Sequence, residues 1–205
     1  MSKKAKKAPL AGYEKKRDFA KTPEPPGAAG GETPEGPLFV IQKHKARTLH
    51  YDFRLEVDGV LKSWAVPKGP SLNPRDKRLA VMVEDHPLEY ATFEGAIPAD
   101  EYGAGPVIVW DTGLYRHLPE EDKAASMADA LAGGFAVVHL EGRKVRGAYK
   151  LIHARMGGDE RNWLLIKKTD DHADPDRNPV KDQPQSALSG RTIEDLLAEE
   201  GNGDV

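Results

Sequence analysis

Two runs of alternating side chains, joined by Asp58-Gly59, constrain the fold of this chain more than any other feature. Residues 51–57 and 60–66 both alternate in the manner of a half-buried strand. Both turn positions tolerate a positive φ, so the segment predicts a two-residue β-hairpin. An isolated hairpin is only marginally stable in water, so further strands must pack against it. The 205 residues are enough for one good core.

Short strand-like segments bounded by turn residues recur along the rest of the chain. They are predicted at residues 79–84, 91–94, 107–110, 114–116, 135–140, 146–154 and 163–168, with a turn at 111–113. One helix is predicted over residues 119–132, ended by Gly133-Gly134. This pattern indicates a mainly β protein, either an antiparallel barrel or a closely wrapped sandwich.

Composition divides the chain into four segments. They are a lysine-rich disordered tail (1–12), an N-terminal peptide with a Pro- and Gly-rich linker (13–37), a barrel domain (38–170) and a polar C-terminal segment (171–205). A short helix is predicted in the last segment at residues 192–199, with Thr192 as N-cap and Asp195 in the capping-box position. The folded body is therefore expected to begin near Leu38.

The first strand of the hairpin presents two chemically different faces. Successive side chains on a strand point to opposite sides, so His50, Asp52 and Arg54 share one face. The other face, which predicts a core, carries Leu49, Tyr51, Phe53 and Leu55. Such alternation is typical of any half-exposed strand, but histidine and aspartate are also the usual nitrogen and oxygen ligands of a transition metal.

Imidazole and carboxylate groups at this spacing predict a metal site. His44, six residues before His50, completes a set of three ligands with Asp52. Three protein ligands leave positions for water and a substrate oxygen, which is the layout of a catalytic site. The chain has no cysteine, which excludes disulfides and thiolate sites, and manganese, zinc and iron are all compatible with this ligand set.

Arg54 beside the predicted metal indicates an anionic ligand. A guanidinium grips a tetrahedral anion such as phosphate through two hydrogen bonds, although a salt bridge to a neighbouring glutamate is an equal alternative. Lys68 and Arg78 add two cations after the hairpin; each alone is typical of a solvated surface charge, but with Arg54 they predict a phosphate pocket. His86 could serve that pocket as a cation or proton donor, and Tyr90 as a hydrogen-bond donor.

Charge and hydropathy limit the partners of the chain. The net charge is −3 and the sequence pI is near 6.2, whereas nucleic-acid-binding domains are often strongly basic. A local basic pocket is nevertheless sufficient for a single strand terminus. No run of eighteen apolar residues occurs, which predicts a protein that does not cross a membrane and is cytoplasmic.

Three motifs, occurring in order, carry a resemblance to a known family. They are the His44-x5-His50-x-Asp52-x-Arg54 spacing, the SWAVPKGPS stretch at residues 63–71 and the DHPLEY motif at residues 85–90. With them the chain resembles the 3′-phosphoesterase domain of bacterial DNA ligase D from about Tyr13 to residue 197. The resemblance implies a small antiparallel β-barrel with peripheral helices and a manganese-dependent enzyme of double-strand break repair. Members remove a 3′-terminal ribonucleoside to leave a 3′-phosphate, then hydrolyse that phosphate to a 3′-hydroxyl.

The resemblance also implies roles for individual residues. The family's metal ligands match His44, His50 and Asp52, and its phosphate contacts match Arg54, His86 and Tyr90. Further pocket positions of the family match Ser63, Lys68 and Arg78. Its functional N-terminal peptide matches Arg17, Asp18 and Glu24. Composition alone interprets the last three as helix-surface residues, so the resemblance reverses that interpretation. The polymerase and ligase domains of ligase D are absent from this sequence. We therefore expect a monomer acting on primer-template 3′ ends at the nucleoid, with a ligase and the Ku protein in trans.

Two other functions compete with this one. His50, Asp52 and His86 could form the facial triad of a non-haem iron oxygenase, which would make His44, Lys68 and Arg78 bystanders. Alternatively, the same pocket could hold 3′ ends for a ligase without cutting them. The intact ligand set favours the enzyme over this binding module.

Overall fold

Nine β-strands form the body of the computed structural model, which describes residues 9–27, 35–154 and 156–201. The strands are β1 Leu38–Lys45, β2 Leu49–Val57, β3 Val60–Val66, β4 Arg78–Met82, β5 Gly95–Ile97, β6 Gly105–His117, β7 Phe135–Glu141, β8 Arg146–His153 and β9 Asn162–Lys167. The α-helices are α1 Ala11–Glu14, α2 Pro119–Asp122, α3 Met127–Gly133, α4 Pro179–Asp182 and α5 Ile193–Gly201. Most of the predicted basic tail and the centre of the predicted linker lie outside the described residues.

The sheet closes on itself into an antiparallel barrel. Its order is β1-β2-β3-β4-β9-β8-β7-β6, and β6 pairs with β1 to complete the ring, while the short β5 adds to the first half of β6. This confirms the predicted mainly β fold and decides between barrel and sandwich. Closure leaves β1 hydrogen-bonded on both sides, so the strand that carries His44 is held rigidly.

The predicted hairpin is formed by β2 and β3. Asp58 and Gly59 have φ angles of 51° and 74°, so both residues adopt the left-handed conformation that the Asp-Gly pair allows. The turn fixes the register in which Arg54 lies opposite Ser63 and Asp52 opposite Ala65. A slip of one residue would exchange the polar and apolar faces of β2.

The two faces of β2 meet different surroundings. Tyr51, Phe53 and Leu55 point into the barrel, whose core also holds Phe39, Ile41, Trp64, Trp110, Tyr115, Tyr149 and Leu151. Leu49, predicted to belong to that core, is instead 40% exposed because it lies at the barrel end. A second apolar cluster covers the outside of the barrel, where Tyr13, Val40, Leu61, Tyr90 and Val107 pack together. Each such buried side chain contributes about 1.5–3 kcal/mol of transfer free energy.

Two predicted elements of the central region are wrong. Residues 91–94 are not a strand, because Leu88–Thr92 form a 3₁₀ turn and the strand begins only at Gly95. Residues 111–113 are not a turn, because β6 runs through them as one 13-residue strand. The buried carboxylate of Asp111 accepts hydrogen bonds from the backbone amides of Arg143, Lys144 and Val145, so it organises a neighbouring turn rather than its own.

The predicted helix over residues 119–132 is divided into α2 and α3. Lys123 has a φ of 64°, a left-handed conformation that ends α2 after one turn. Ser126 then accepts a hydrogen bond from the Asp129 amide and begins α3 as its N-cap. The predicted glycine terminator is confirmed, since Gly134 follows α3 with a φ of 81°.

Both terminal segments pack onto the barrel. Leu10 and Tyr13 are buried, so the folded body begins well before Leu38, where the sequence places its start. At the other end, the Thr192 hydroxyl and the Asp195 carboxylate form the predicted capping box of α5. Ile193 and Leu196 of that helix are buried against Ile108 of β6. The described residues include no helix long and apolar enough to span a membrane.

Candidate metal centre and anion pocket

Two adjacent strands bring three potential metal ligands together on the outer face of the barrel. His44 of β1 lies directly opposite His50 of β2, and Asp52 follows two residues later on the same face. Asp52 Oδ2 is 3.6 Å from His44 Nδ1 and 3.7 Å from His50 Nε2. All three ligand atoms lie within 4.8 Å of one another. The separations to Asp52 fit a cation bound at about 2.0–2.2 Å from each atom, so these residues could hold a metal.

Backbone carbonyls orient both imidazoles. His44 Nε2 donates to the carbonyl oxygen of Gly103 at 2.7 Å, and His50 Nδ1 donates to that of Thr48 at 3.0 Å. In the neutral form of each ring, the other nitrogen then carries a lone pair and faces Asp52. Metal-binding histidines in general have their second nitrogen fixed in this way, which supports His44 and His50 as ligands independently of their spacing.

The Asp52 carboxylate is buried but ionised. Burial raises its pKa, but the guanidinium of Arg54, together with the neighbouring imidazoles, outweighs this, and the pKa lies well below the usual aspartate range. Arg54 Nη2 is 3.2 Å from Asp52 Oδ2. A charged carboxylate is the form that a divalent cation needs.

Arg54 is held in one position by a set of buried partners. Its Nε donates to Gln42 Oε1 and its Nη1 to Ser63 Oγ, both at 2.8 Å, and the guanidinium lies over the Tyr90 ring at 4.9 Å. Arg54 is 2% exposed. The carboxylate beside it belongs to Asp52 rather than to the glutamate considered as an alternative.

His86 closes the inner wall of the pocket. Its Nδ1 is 3.0 Å from Arg54 Nη1 and 2.9 Å from the Glu84 carbonyl oxygen, and its Nε2 is 3.3 Å from Arg17 Nη2. Burial, followed by the charges of Arg54 and Arg17, lowers the pKa of His86 well below its usual value. The imidazole is therefore neutral here, which is not the cationic form considered from the sequence.

The N-terminal segment supplies a second guanidinium. Arg17 Nε donates to Glu24 Oε1 at 2.9 Å, and its guanidinium stacks on the ring of Tyr13 at 3.8 Å. The Tyr90 hydroxyl donates to the same Glu24 oxygen at 2.9 Å. Glu24 itself is 2% exposed, so the predicted N-terminal peptide is part of the site rather than a helix surface.

These side chains surround one cavity of about 560 Å³. Besides the three potential ligands, its lining includes four other predicted site residues: Arg17, Arg54, His86 and Tyr90. Ser63 and Glu24 support this wall from behind through hydrogen bonds to Arg54 and Arg17. The hydroxyl of Tyr90, predicted to contact phosphate, is occupied by Glu24 in this structure.

Three predicted site residues lie elsewhere among the described residues. Asp18 is exposed and its carboxylate caps a local turn at Ala20. Lys68 is exposed beyond the end of β3. Arg78 lies on the same face of β4 as Ala80, which packs into the barrel core. The side chain of Arg78 therefore points away from the cavity, and it pairs with Asp76 at 2.8 Å. The lining of the cavity therefore does not include the cations of Lys68 and Arg78.

The facial triad expected of an iron oxygenase does not form. Within the described part of the chain, the group that could hold a metal consists of His44, His50 and Asp52, without His86. His86 is instead hydrogen-bonded to Arg54, whose guanidinium separates it from Asp52. The position of His86 outside this group thus removes the main structural support for that alternative.

Several residues of the site were not identified from the sequence. Gln42 precedes His44 by two residues and shares its face of β1, so strand periodicity could have identified it. Its amide nitrogen donates to the carbonyls of Tyr90 and Phe93, which anchors the 3₁₀ turn to the site. Glu84 and Tyr102, by contrast, come from loops whose positions no local sequence pattern reveals.

Comparison with known proteins places these features in one family. The model of the DNA Ligase D 3′-phosphoesterase domain matches residues 42–153. A Multifunctional non-homologous end joining protein LigD from Pseudomonas aeruginosa is 50% identical over 188 residues, covering 90% of this chain and 22% of that protein. A LigD from Mycobacterium tuberculosis is 51% identical over 155 residues, covering 76% of this chain and 19% of that protein. A LigD from Mycolicibacterium smegmatis is 44% identical over 165 residues, covering 78% of this chain and 21% of that protein. The chain thus spans about a fifth of the length of these relatives.

Proposed function

The chain belongs to the DNA ligase D 3′-phosphoesterase family, and we propose that it heals the 3′ ends of DNA in double-strand break repair. In this proposal it removes a 3′-terminal ribonucleoside to leave a 3′-phosphate and hydrolyses a 3′-phosphate to a 3′-hydroxyl. The observation that carries the proposal is the convergence of His44, His50 and Asp52 beside the buried guanidinium of Arg54. A potential cation site next to a fixed guanidinium is suited to a phosphate or phosphodiester.

Manganese is the metal we propose for His44, His50 and Asp52, since a ligand set of nitrogen and carboxylate oxygen is compatible with it. Such a bound cation would supply Lewis acidity and positive charge to a phosphate oxygen. The protein provides the rest of the electrostatic environment. Asp52 stays ionised and the two imidazoles keep their lone pairs directed toward it.

Arg54 is the proposed principal phosphate ligand. A guanidinium has five N–H donors; the hydrogen bonds to Gln42, Ser63 and His86 use one each, and the ion pair with Asp52 engages Nη2. Among the contacts of the described residues, at least one N–H is left for a phosphate oxygen. Its partners fix the geometry in advance, so the stabilisation of negative charge requires no rearrangement during the reaction.

Arg17 and His86 form the proposed opposite wall. Arg17 brings a second permanent positive charge to the cavity, and Glu24 fixes its orientation. His86 is neutral, so we assign it to hydrogen bonding at the phosphate rather than to charge neutralisation. A terminal 2′-hydroxyl, both donor and acceptor, would distinguish the ribonucleotide end from a deoxyribonucleotide end.

The proposed partners are the 3′ ends of primer-template DNA. A ligase and the Ku protein would act in trans, with the chain as a cytoplasmic monomer that associates with the nucleoid during repair. Its net charge of −3 means that attraction to DNA comes from the local cations of the cavity rather than from the molecule as a whole.

A labelled primer-template that ends in one ribonucleotide tests the proposed function. Incubation with manganese should convert it first to a 3′-phosphate and then to a 3′-hydroxyl product, and chelation of the metal should stop both steps. Binding of the 3′-phosphate primer without any product would establish the non-catalytic module instead. Products in the presence of excess chelator would contradict the role of a metal.

A further inference from the structure

The cavity is larger than its phosphate chemistry requires. A volume of about 560 Å³ falls within the roughly 300–1,000 Å³ of pockets that enclose drug-sized ligands. Its polar part is formed by the potential metal ligands, by His86 and by five further charged side chains: Arg17, Arg47, Arg54, Glu84 and Glu101. Another part of the lining has small or apolar side chains, among them Ile97, Ala99 and Ala104 from β5 and the following loop. None of these three side chains can hydrogen-bond to a phosphate.

Tyr102 provides an aromatic surface in the same loop. It lines the cavity and is 50% exposed, whereas the other tyrosines of the described chain are buried. Lys16 holds it in place, since its ammonium lies 4.4 Å from the ring centroid and donates to the hydroxyl at 3.1 Å. The Arg17 guanidinium also lies 5.8 Å from the ring centroid, yet half of the Tyr102 surface stays exposed. An exposed, oriented aromatic ring at a phosphate site is the usual platform for a nucleobase.

The loop that carries Tyr102 is tied to the potential metal centre. Gly103, the next residue, supplies the carbonyl oxygen that accepts the hydrogen bond from His44. The aromatic surface and the phosphate site consequently have a fixed spatial relation. A ligand with a phosphate on one end and a flat aromatic group on the other matches this arrangement.

We propose that Tyr102, with the wall formed by Ile97, Ala99 and Ala104, is the subsite for the nucleoside whose 3′ oxygen carries the reacting phosphate. The base of that nucleoside stacks on the Tyr102 ring. The proposal deepens the proposed function and rests on it for the nature of the substrate. It makes Tyr102 a positioning residue, since it touches the base and not the reacting phosphorus.

Kinetics on paired substrates test the subsite. One primer-template ends in an ordinary nucleoside 3′-phosphate, and the other carries the same phosphate on a terminal sugar without a base. We expect Tyr102→Ala to raise KM about tenfold on the first and to leave KM on the second nearly unchanged, because stacking is lost only where a base is present. Tyr102→Phe should restore the wild-type KM, whereas Tyr102→Leu should not. An equal rise on both substrates would overturn the proposal.

Two control variants separate stacking from structural effects. Lys16→Ala removes the hydrogen bond to the Tyr102 hydroxyl but keeps the ring. If it reproduces the full effect of Tyr102→Ala, the ring serves to anchor the N-terminal segment and the subsite is disproved. Phe135→Ala removes another partly exposed aromatic ring, which does not line the cavity, and should not change KM.

A binding measurement distinguishes failure of the subsite from failure of the proposed function. Fluorescence anisotropy with both 3′-phosphate primers in chelator, where no turnover is expected, gives Kd for the wild type and the Tyr102 variants. We expect Tyr102→Ala to weaken binding about tenfold only when the base is present. Selective weakening without any turnover in manganese would uphold the subsite and reject the phosphoesterase. Equal Kd values for wild type and variant would reject the subsite whatever the activity.

Discussion

At the scale of single residues, the charge of Asp52 links the potential metal ligands to the anion pocket. Its carboxylate faces both histidines and also pairs with Arg54. We predict that Asp52→Asn, which keeps the shape and removes the charge, abolishes binding of manganese and lowers phosphatase activity by at least about a thousandfold. Loss of the anion also leaves the buried Arg54 with an uncompensated charge.

Titration calorimetry with manganese and phosphate release from a 3′-phosphate primer check the Asp52 prediction. Asp129→Asn is the matched control, because Asp129 lies on α3 outside the lining of the cavity and its carboxylate accepts a hydrogen bond from Ser126. Retained metal affinity in Asp52→Asn would remove this residue from the ligand set.

The hydrogen bonds of Glu24 lead to a second prediction at this scale. Its carboxylate binds the Arg17 guanidinium and the hydroxyls of Tyr90 and Thr22 in a buried position. Glu24→Gln leaves a buried arginine without its charge partner, and we expect a loss of about 3–5 kcal/mol in the free energy of unfolding. Tyr90→Phe removes only one hydrogen bond and should cost about 1.5–3 kcal/mol.

Urea unfolding of the two variants checks this order of effects, with activity on a 3′-phosphate primer measured in parallel. If Tyr90→Phe is at least as destabilising as Glu24→Gln, the network depends on the phenol and not on the ion pair. We expect both variants to keep the barrel, with far-ultraviolet circular dichroism spectra that match the wild type.

The site residues that could be identified from the sequence are those governed by a single strand and its hairpin. Side-chain alternation along β2 places Asp52 beside Arg54, and the same rule applied to β1 adds Gln42 to His44. Arg78 was assigned to the pocket from the resemblance, but its parity on β4 directs it to the barrel side. Which face of β4 looks inward depends on barrel closure, and that is information no local pattern contains.

At the scale of elements, the N-terminal segment of residues 9–27 packs on the outside of the barrel and contributes Arg17 to the cavity. Tyr13 anchors it, being fully buried, with its hydroxyl donating to the Pro25 carbonyl at 2.6 Å. We predict that Tyr13→Ala releases this segment and displaces Arg17 from the cavity, since such truncations remove about 3–5 kcal/mol of packing. The barrel has its own core and should remain folded.

Limited proteolysis and substrate comparison check the release of the segment. Cleavage near residues 15–21 should accelerate in Tyr13→Ala, while circular dichroism of the barrel stays unchanged. We expect a larger loss of activity on the ribonucleotide-ended primer than on the 3′-phosphate primer, as we do for Arg17→Ala and Glu24→Ala. Asp18→Ala should have a smaller effect, because Asp18 caps a turn and does not reach the cavity. Equal losses on both primers would argue against a separate role for this segment.

The secondary-structure elements could be predicted where a single local sequence signal dominates. The Asp58-Gly59 hairpin and the Thr192–Asp195 capping box are local and are found as expected. The Asp-Thr-Gly sequence at residues 111–113 has equally good turn residues, yet Asp111 serves the turn between β7 and β8 instead. Long-range hydrogen bonding therefore overrode turn propensity.

At the scale of the whole molecule, both terminal segments pack against the outside of the barrel. The C-terminal segment supplies carbonyl oxygens to buried donors: Gln183 accepts from Trp110 Nε1 at 2.7 Å and from Lys144 Nζ at 3.2 Å. Burial lowers the pKa of Lys144 to about 8. Between that value and the lysine reference near pH 10, the unfolded chain keeps a proton that the native chain releases. The unfolded state then binds more protons, so this group makes native stability rise with pH.

Above about pH 10, the buried tyrosines make native stability fall as the pH rises. Tyr13, Tyr51, Tyr90, Tyr115 and Tyr149 are buried, and burial raises the pKa of each phenol, to about 12 for Tyr51. Above the unfolded value near 10, the unfolded chain loses phenolic protons that the native chain retains, so stability falls by up to about 1.4 kcal/mol per pH unit for each group.

Five such groups together offset a typical domain stability of about 5–15 kcal/mol within roughly one to two pH units. We therefore predict that the free energy of unfolding rises modestly between pH 8 and 10 and then collapses cooperatively. Urea unfolding across this range, with tyrosinate absorbance and tryptophan fluorescence followed together, checks the prediction. Lys144→Met should flatten the rise without removing the collapse. Ionisation of these five phenols near pH 10, with native fluorescence retained, would mean that their burial does not control their protonation.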